Sequence, residues 1–162
     1  MDYGAKKISS KSVPPHTGTK HLVAKRPKLR IIGAHLASLE WDVDEVAQCL
    51  KDFPNFAVDT SARMLDLTWQ DTAKVRAFFE AFPEQILYGS DMVHNGFSSE
   101  LDEEKRQQRL ESADARWQME FAYYESSDIV DVRGRSVQGL GLTGDLLENF
   151  YYKNAERWYP GL

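Results

Sequence analysis

From Leu29 onward, short apolar runs alternate with longer stretches in which apolar residues return every third or fourth position. Leu29, Ile31 and Ile32 lead into Gly33-Ala34-His35, the kind of run that forms a buried parallel strand. Asp42 then precedes Val43, Val46, Ala47 and Leu50 at helical spacing, with Glu45 placed as in a capping box, and the helix is predicted to end near Phe53, before Pro54. A second strand, Phe56 to Val58, ends in Asp59-Thr60-Ser61. Thr68 is the predicted cap of the next helix, with Asp71 following it, and Val75, Phe78, Phe79 and Phe82 form its apolar stripe before Pro83. Ile86, Leu87 and Tyr88 make a third strand that runs into Gly89-Ser90-Asp91.

Strand, helix, strand at this spacing is a βαβ repeat, which gives an α/β fold with parallel neighbours and helices outside. Parallel strands bring their C-terminal ends to one edge, so His35, Asp59 and Asp91 are expected to share a crevice there, where barrels and open α/β sheets place their chemistry. Downstream, the dense charges from Glu100 to Arg116 predict a solvated helix with Leu110, Ala113, Trp117 and Phe121 as its inner stripe. Asp128 to Gly144 reads as a loop or hairpin, with Ile129, Val130 and Val132 as a short strand. A last helix starts near Asp145, carries Leu146, Leu147, Phe150, Tyr151, Ala155 and Trp158, and stops at Tyr159-Pro160-Gly161. Residues 1–19 hold almost no large apolar side chains and are expected to form a loosely ordered leader to one folded unit over 20–162.

Composition narrows the function classes. Of the 162 residues, 42% are hydrophobic, enough for a real core, and 25 acidic against 20 basic side chains leave a net charge of -5, which argues against binding nucleic acid. The cluster Lys25, Arg26, Lys28 and Arg30 reads as a solvated helix end. The single cysteine, Cys49, lies in an apolar helical pattern and suits a reducing compartment. With no apolar N-terminal core and no run of ~20 apolar residues, the expectation is a soluble, cytoplasmic chain with no membrane contact.

Three stretches, RIIGAHLASLEWDVDEVA from Arg30, NFAVDTSARM from Asn55 and QILYGSDM from Gln85, together with the terminal YYKNAERWYPG from Tyr151, resemble the amidohydrolase superfamily, specifically its decarboxylase-like branch of metal-dependent hydrolases. The resemblance covers about residues 22–95 and 138–161. It implies a (β/α)₈ barrel of which the three strands are the sixth, seventh and eighth, so that the chain is a partial barrel comprising the last three or four βα units. It further implies that His35 corresponds to a sixth-strand histidine that ligates the metal or stands beside it. Asp91 then corresponds to an eighth-strand aspartate that ligates a divalent ion, zinc first and manganese second, and takes a proton from the attacking water. Both side chains are chemically suited to those tasks. The family's His-x-His pair is absent, since the four histidines are His16, His21, His35 and His94; His16 bears only a faint likeness to a fifth-strand ligand. A complete barrel takes ~250 residues, so the first half is expected to be missing.

Each candidate also has a plain structural reading. His35 could simply donate a hydrogen bond at a strand end, and Asp91 could be a turn aspartate. Asp59 could cap its own loop or pair with Arg63. His94 could be an exposed loop residue. Trp41 and Trp69, near strand-end loops, either wall a pocket or pack partly against a helix, and Tyr151, Tyr152, Trp158 and Tyr159 read as core packing of the last helix. The function that follows is a metal-dependent hydrolase or decarboxylase of a small organic substrate. The alternative is a truncated, non-catalytic barrel fragment acting through a partner or a second copy, as a possible homo-oligomer. A third reading is an independent doubly wound domain binding a small ligand at the same edge, although no glycine-rich phosphate loop is present to support a nucleotide.

Overall fold

The computed structural model describes residues 21–92 and 102–161. The expected leader, His16 and His94 lie outside the described residues. Strand β1 (Ile31–Gly33) is followed by a short turn of helix, α1 (Ala34–Ala37), then α2 (Val43–Asp52), β2 (Phe56–Asp59), α3 (Met64–Leu67), α4 (Thr72–Ala81) and β3 (Ile86–Leu87). The three strands pair in parallel in the order β1-β2-β3, with Gly33 opposite Val58 and Asp59 opposite Leu87. The predicted βαβ repeat is therefore present, as an open sheet rather than a closed barrel among the described residues.

Alternation along the strands buries both faces. Ile31, Phe56, Val58 and Ile86 join the main core with α2 and α4, while Ile32, Ala57 and Leu87 point the other way and pack with Trp158 and Ala155. Near-continuous apolar runs are what a parallel sheet covered on both sides requires. In α2 the buried positions are Val43, Val46, Cys49 and Leu50, and each large aliphatic side chain so buried contributes ~1.5–3 kcal/mol. Its N-terminus is capped by Asp42, which accepts from Asp44 N at 2.9 Å. Lys74 of α4 reaches Asp42 at 2.6 Å and Asp44 at 2.9 Å, which ties the starts of the two helices together.

Two helix readings need correction. The cap of α4 is Asp71, which accepts from Lys74 N at 2.8 Å; Thr68 instead closes α3, its hydroxyl donating to Leu65 O. The intervening α3 is too short for periodicity to disclose, although Met64 and Leu67 are buried. The long helix α5 (Glu103–Glu125) buries Glu120, Tyr123 and Tyr124, whereas Leu110, Trp117 and Phe121 are 65%, 40% and 39% exposed. Every residue from 102 to 112 is exposed, Leu110 included, whereas Phe121 of the predicted stripe packs on Tyr88 and Tyr151.

The hairpin reading holds. Strands β4 (Ile129–Val132) and β5 (Arg135–Gln138) pair antiparallel around Arg133 and Gly134, whose φ of 52° and 78° match the primed turn that a two-residue hairpin favours. The C-terminal segment runs as α6 (Gly144–Glu148), one wide π-type turn (Asn149–Lys153) and α7 (Asn154–Trp158). It covers β3: Tyr88 N donates to Phe150 O at 2.8 Å, Asn154 Nδ2 donates to Ile86 O and Pro83 O at 2.8 and 2.9 Å, and Trp158 Nε1 donates to Glu84 O at 2.7 Å. Of the terminal aromatic set, Trp158 is buried and Tyr151 packs on Tyr88, but Tyr152 and Tyr159 are exposed, so only half of it is core. No helix among the described residues is long and apolar enough to cross a membrane.

Candidate functional site

Because the strands are parallel and nearly in register, three short segments leave the sheet at one edge: Ala34 to Ser38 after β1, Thr60 to Arg63 after β2, and Tyr88 to Asp91 after β3. The backbone there is unusual. Among the described non-glycine residues, positive φ occurs at His35, Leu36, Ala37 and Ser38, at Ala62, at Asp91, and otherwise only at Arg133 in the hairpin turn. Left-handed backbone costs an L-residue roughly 1–2 kcal/mol, and such conformations concentrate where surrounding contacts over-determine a functional geometry. All three strand ends therefore carry strain, and the opposite edge carries none.

The strain after β1 delivers His35. Its Nδ1 lies 2.7 Å from Ser61 O, and since a carbonyl oxygen only accepts, Nδ1 bears the hydrogen; in the neutral ring Nε2 is then the nitrogen with the lone pair. Asp59 secures both partners, its Oδ1 accepting from His35 N at 3.0 Å and from Ser61 N at 3.1 Å. Of the two structural readings of Asp59, the cap of its own loop is present through the Ser61 amide, whereas Arg63 pairs elsewhere, 3.6 Å from Glu40 and 3.9 Å from Asp66. Two glycines permit the close approach. A Cβ at Gly33 would stand 2.8 Å from both Ala37 Cβ and Phe56 Cζ, and one at Gly89 would stand 2.2 Å from Ser61 Oγ.

Asp91, exposed and with φ 49°, ends the third segment. The corner before it is held from α5: Arg116 donates to Ser90 O and pairs with Glu120 at 2.9 Å, and Glu120 accepts the Tyr88 hydroxyl at 2.9 Å. Burial, reinforced by the Glu120 carboxylate, pushes the Tyr88 hydroxyl well above the usual tyrosine range, so it stays a neutral donor. Nothing in the sequence marked Ser61, which acts through its backbone; Arg116 and Glu120 carried only a helical i, i+4 spacing that any solvated helix shows.

The structure thus brings His35, Asp59 and Asp91 to one edge, with β2 between the strands that carry the two outer residues. Among the described residues, no three His, Cys, Asp or Glu side chains gather as a metal-binding group. Trp41 and Trp69 stand before α2 and α4 and are 54% and 73% exposed; the Arg135 guanidinium lies 3.6 Å above the Trp69 ring. Two open clefts of about 560 and 370 Å³ lie toward the other end of the strands, lined by Lys25 to Leu29 and by Arg30, Pro54, Glu84, Gln85, Arg157 and Trp158. Neither touches the strained edge.

Residues 19–161 match the family model described as amidohydrolase. No curated protein and no solved structure matches the chain.

Proposed function

From the chain's membership of the amidohydrolase family, which supports a hydrolase-type function, we propose that it serves the metal-dependent hydrolysis of a small organic molecule at the edge carrying His35 and Asp91. The observation that carries this reading is the Nδ1 contact of His35 with Ser61 O, because it leaves Nε2 as an acceptor beside a strand that ends in a carboxylate. The three strands then stand as the last three of a (β/α)₈ barrel, whose chemistry lies at the C-terminal ends of its strands.

In kind, the donors suit a divalent ion, zinc first: a neutral imidazole nitrogen and a carboxylate oxygen are both zinc ligands. In number they fall short, since a catalytic zinc site commonly has three protein ligands and the described residues offer two. When bound, such an ion supplies Lewis acidity and a water acidified toward neutral pH. His35 Nε2 and the Asp91 carboxylate would hold such an ion, and the Asp91 carboxylate would take a proton from the attacking water and return it to the leaving group. Trp41 and Trp69 offer apolar walls to the substrate.

Zinc uptake by the full chain, followed by equilibrium dialysis, tests the reading. One ion per chain is expected, with hydrolysis of a panel of small amides and esters, both lost in Asp91→Ala. A wild-type chain that takes up no zinc and turns over none of the panel overturns it.

A further inference from the structure

Asp59 is the last residue of β2, and one of its oxygens does an unusual amount. Oδ1 accepts from the backbone of His35, 24 positions away, and from that of Ser61, two positions away, at 3.0 and 3.1 Å. The same two residues meet again through the ring, His35 Nδ1 standing 2.7 Å from Ser61 O. Together these contacts make a closed loop: carboxylate to His35 backbone, His35 ring to Ser61 carbonyl, Ser61 amide back to the carboxylate. Hydrogen bonds to an ionised acceptor are roughly twice as strong as neutral ones. The loop therefore has the strength to hold His35 in the left-handed backbone (φ 57°, ψ 47°) that it would otherwise leave.

We propose that Asp59 is a positioning residue for His35: by fixing both main chains with a single oxygen, it dictates that Nδ1 carries the hydrogen and Nε2 the lone pair. This rests on the reading that His35 is a working group of the site. A carboxylate that merely capped its own loop would need the Ser61 amide alone. The bond to His35, in a different βα unit, is what makes it a device for orienting the imidazole. The logic is that of any ligating or proton-accepting histidine, in which the partner of one nitrogen sets the availability of the other.

The test uses the full chain with ¹⁵N-labelled histidine and reads the two-bond proton–nitrogen correlation of His35, identified by its loss in His35→Gln, at a pH where the imidazole is neutral. The wild type is expected to show Nδ1 protonated and Nε2 bare. In Asp59→Ala that pattern should be lost, shifting toward the interconverting forms of free histidine, and Asp59→Asn, whose side-chain oxygen accepts the same two amides, should restore it. A folded Asp59→Ala chain with the wild-type pattern overturns the proposal. Should that variant not fold, amide exchange in the wild type decides: the His35 amide is expected to exchange on the order of 100-fold more slowly than the same amide in an unstructured peptide of that sequence, and an equal rate overturns the proposal. Neither readout involves zinc or turnover, so a chain that hydrolyses nothing but shows the fixed imidazole fails the functional reading and keeps this one.

Discussion

Ser38 closes the left-handed turn that follows β1, with φ 56° and ψ 38° on an exposed side chain. Glycine tolerates that backbone, so Ser38→Gly should relieve roughly 1–2 kcal/mol of strain and lose about 0.4–1 kcal/mol to the freer unfolded chain. The expected net is a stabilisation of about 1 kcal/mol, read as a higher urea midpoint with an unchanged slope. Gly89 has the opposite sensitivity. The methyl of Gly89→Ala would meet Ser61 Oγ at 2.2 Å and Ser61 Cβ at 3.3 Å, so the Ser61 hydroxyl must turn away and its Cβ give by a few tenths of an ångström. The variant should be destabilised by about 1–3 kcal/mol in urea titration, at the low end if the Ser61 hydroxyl finds another rotamer. At this scale the sequence was legible where a polar side chain ends an apolar run, which is how His35, Asp59 and Asp91 stood out. The left-handed turn was not legible, because Ala34 to Ser38 contains no glycine to announce it.

Among the elements, β1 to β3 and α2 and α4 could be read from spacing because each has its own buried stripe. The long helix α5 could not be read correctly, since its apolar positions are split between a part that rests on the body and a part that is exposed. What the body selects from α5 is a polar anchor, Glu120, only 4% exposed and shared between Tyr88 and Arg116. Glu120→Ala would leave the Tyr88 hydroxyl and the Arg116 guanidinium without that partner, and removing one member of such a buried pair costs about 3–5 kcal/mol. The expected outcome is a loss at the low end of that range in urea titration, because Arg116 retains some water contact, accompanied by a weaker grip on the corner preceding Asp91. The cap of α4 was misassigned for a simpler reason: Thr68 and Asp71 are both good caps, and only the presence of α3 decides between them.

For the whole molecule, the aromatic cluster around β3 makes stability depend on alkaline pH. Burial raises the hydroxyls of Tyr88, Tyr123, Tyr124 and Tyr151 above the ordinary tyrosine value, with Glu120 adding to the effect on Tyr88 and Glu125 on Tyr151. A group whose folded pKa is raised contributes stability that is complete below the unfolded pKa of ~10 and is lost as pH climbs toward the folded value. The urea midpoint should therefore hold up to pH ~10 and fall steeply beyond it, and substituting Tyr124→Phe should flatten that fall. The C-terminal helix that completes this cluster also sets the optical behaviour of the protein. Three of its four tryptophans, Trp41, Trp69 and Trp117, are 54%, 73% and 40% exposed, whereas Trp158 is 7% exposed beneath the sheet. Blue-shifted emission that survives a collisional quencher such as acrylamide thus belongs to Trp158, and a fluorimeter can follow the undocking of the last turn from Ala57 and Leu87 without any added label.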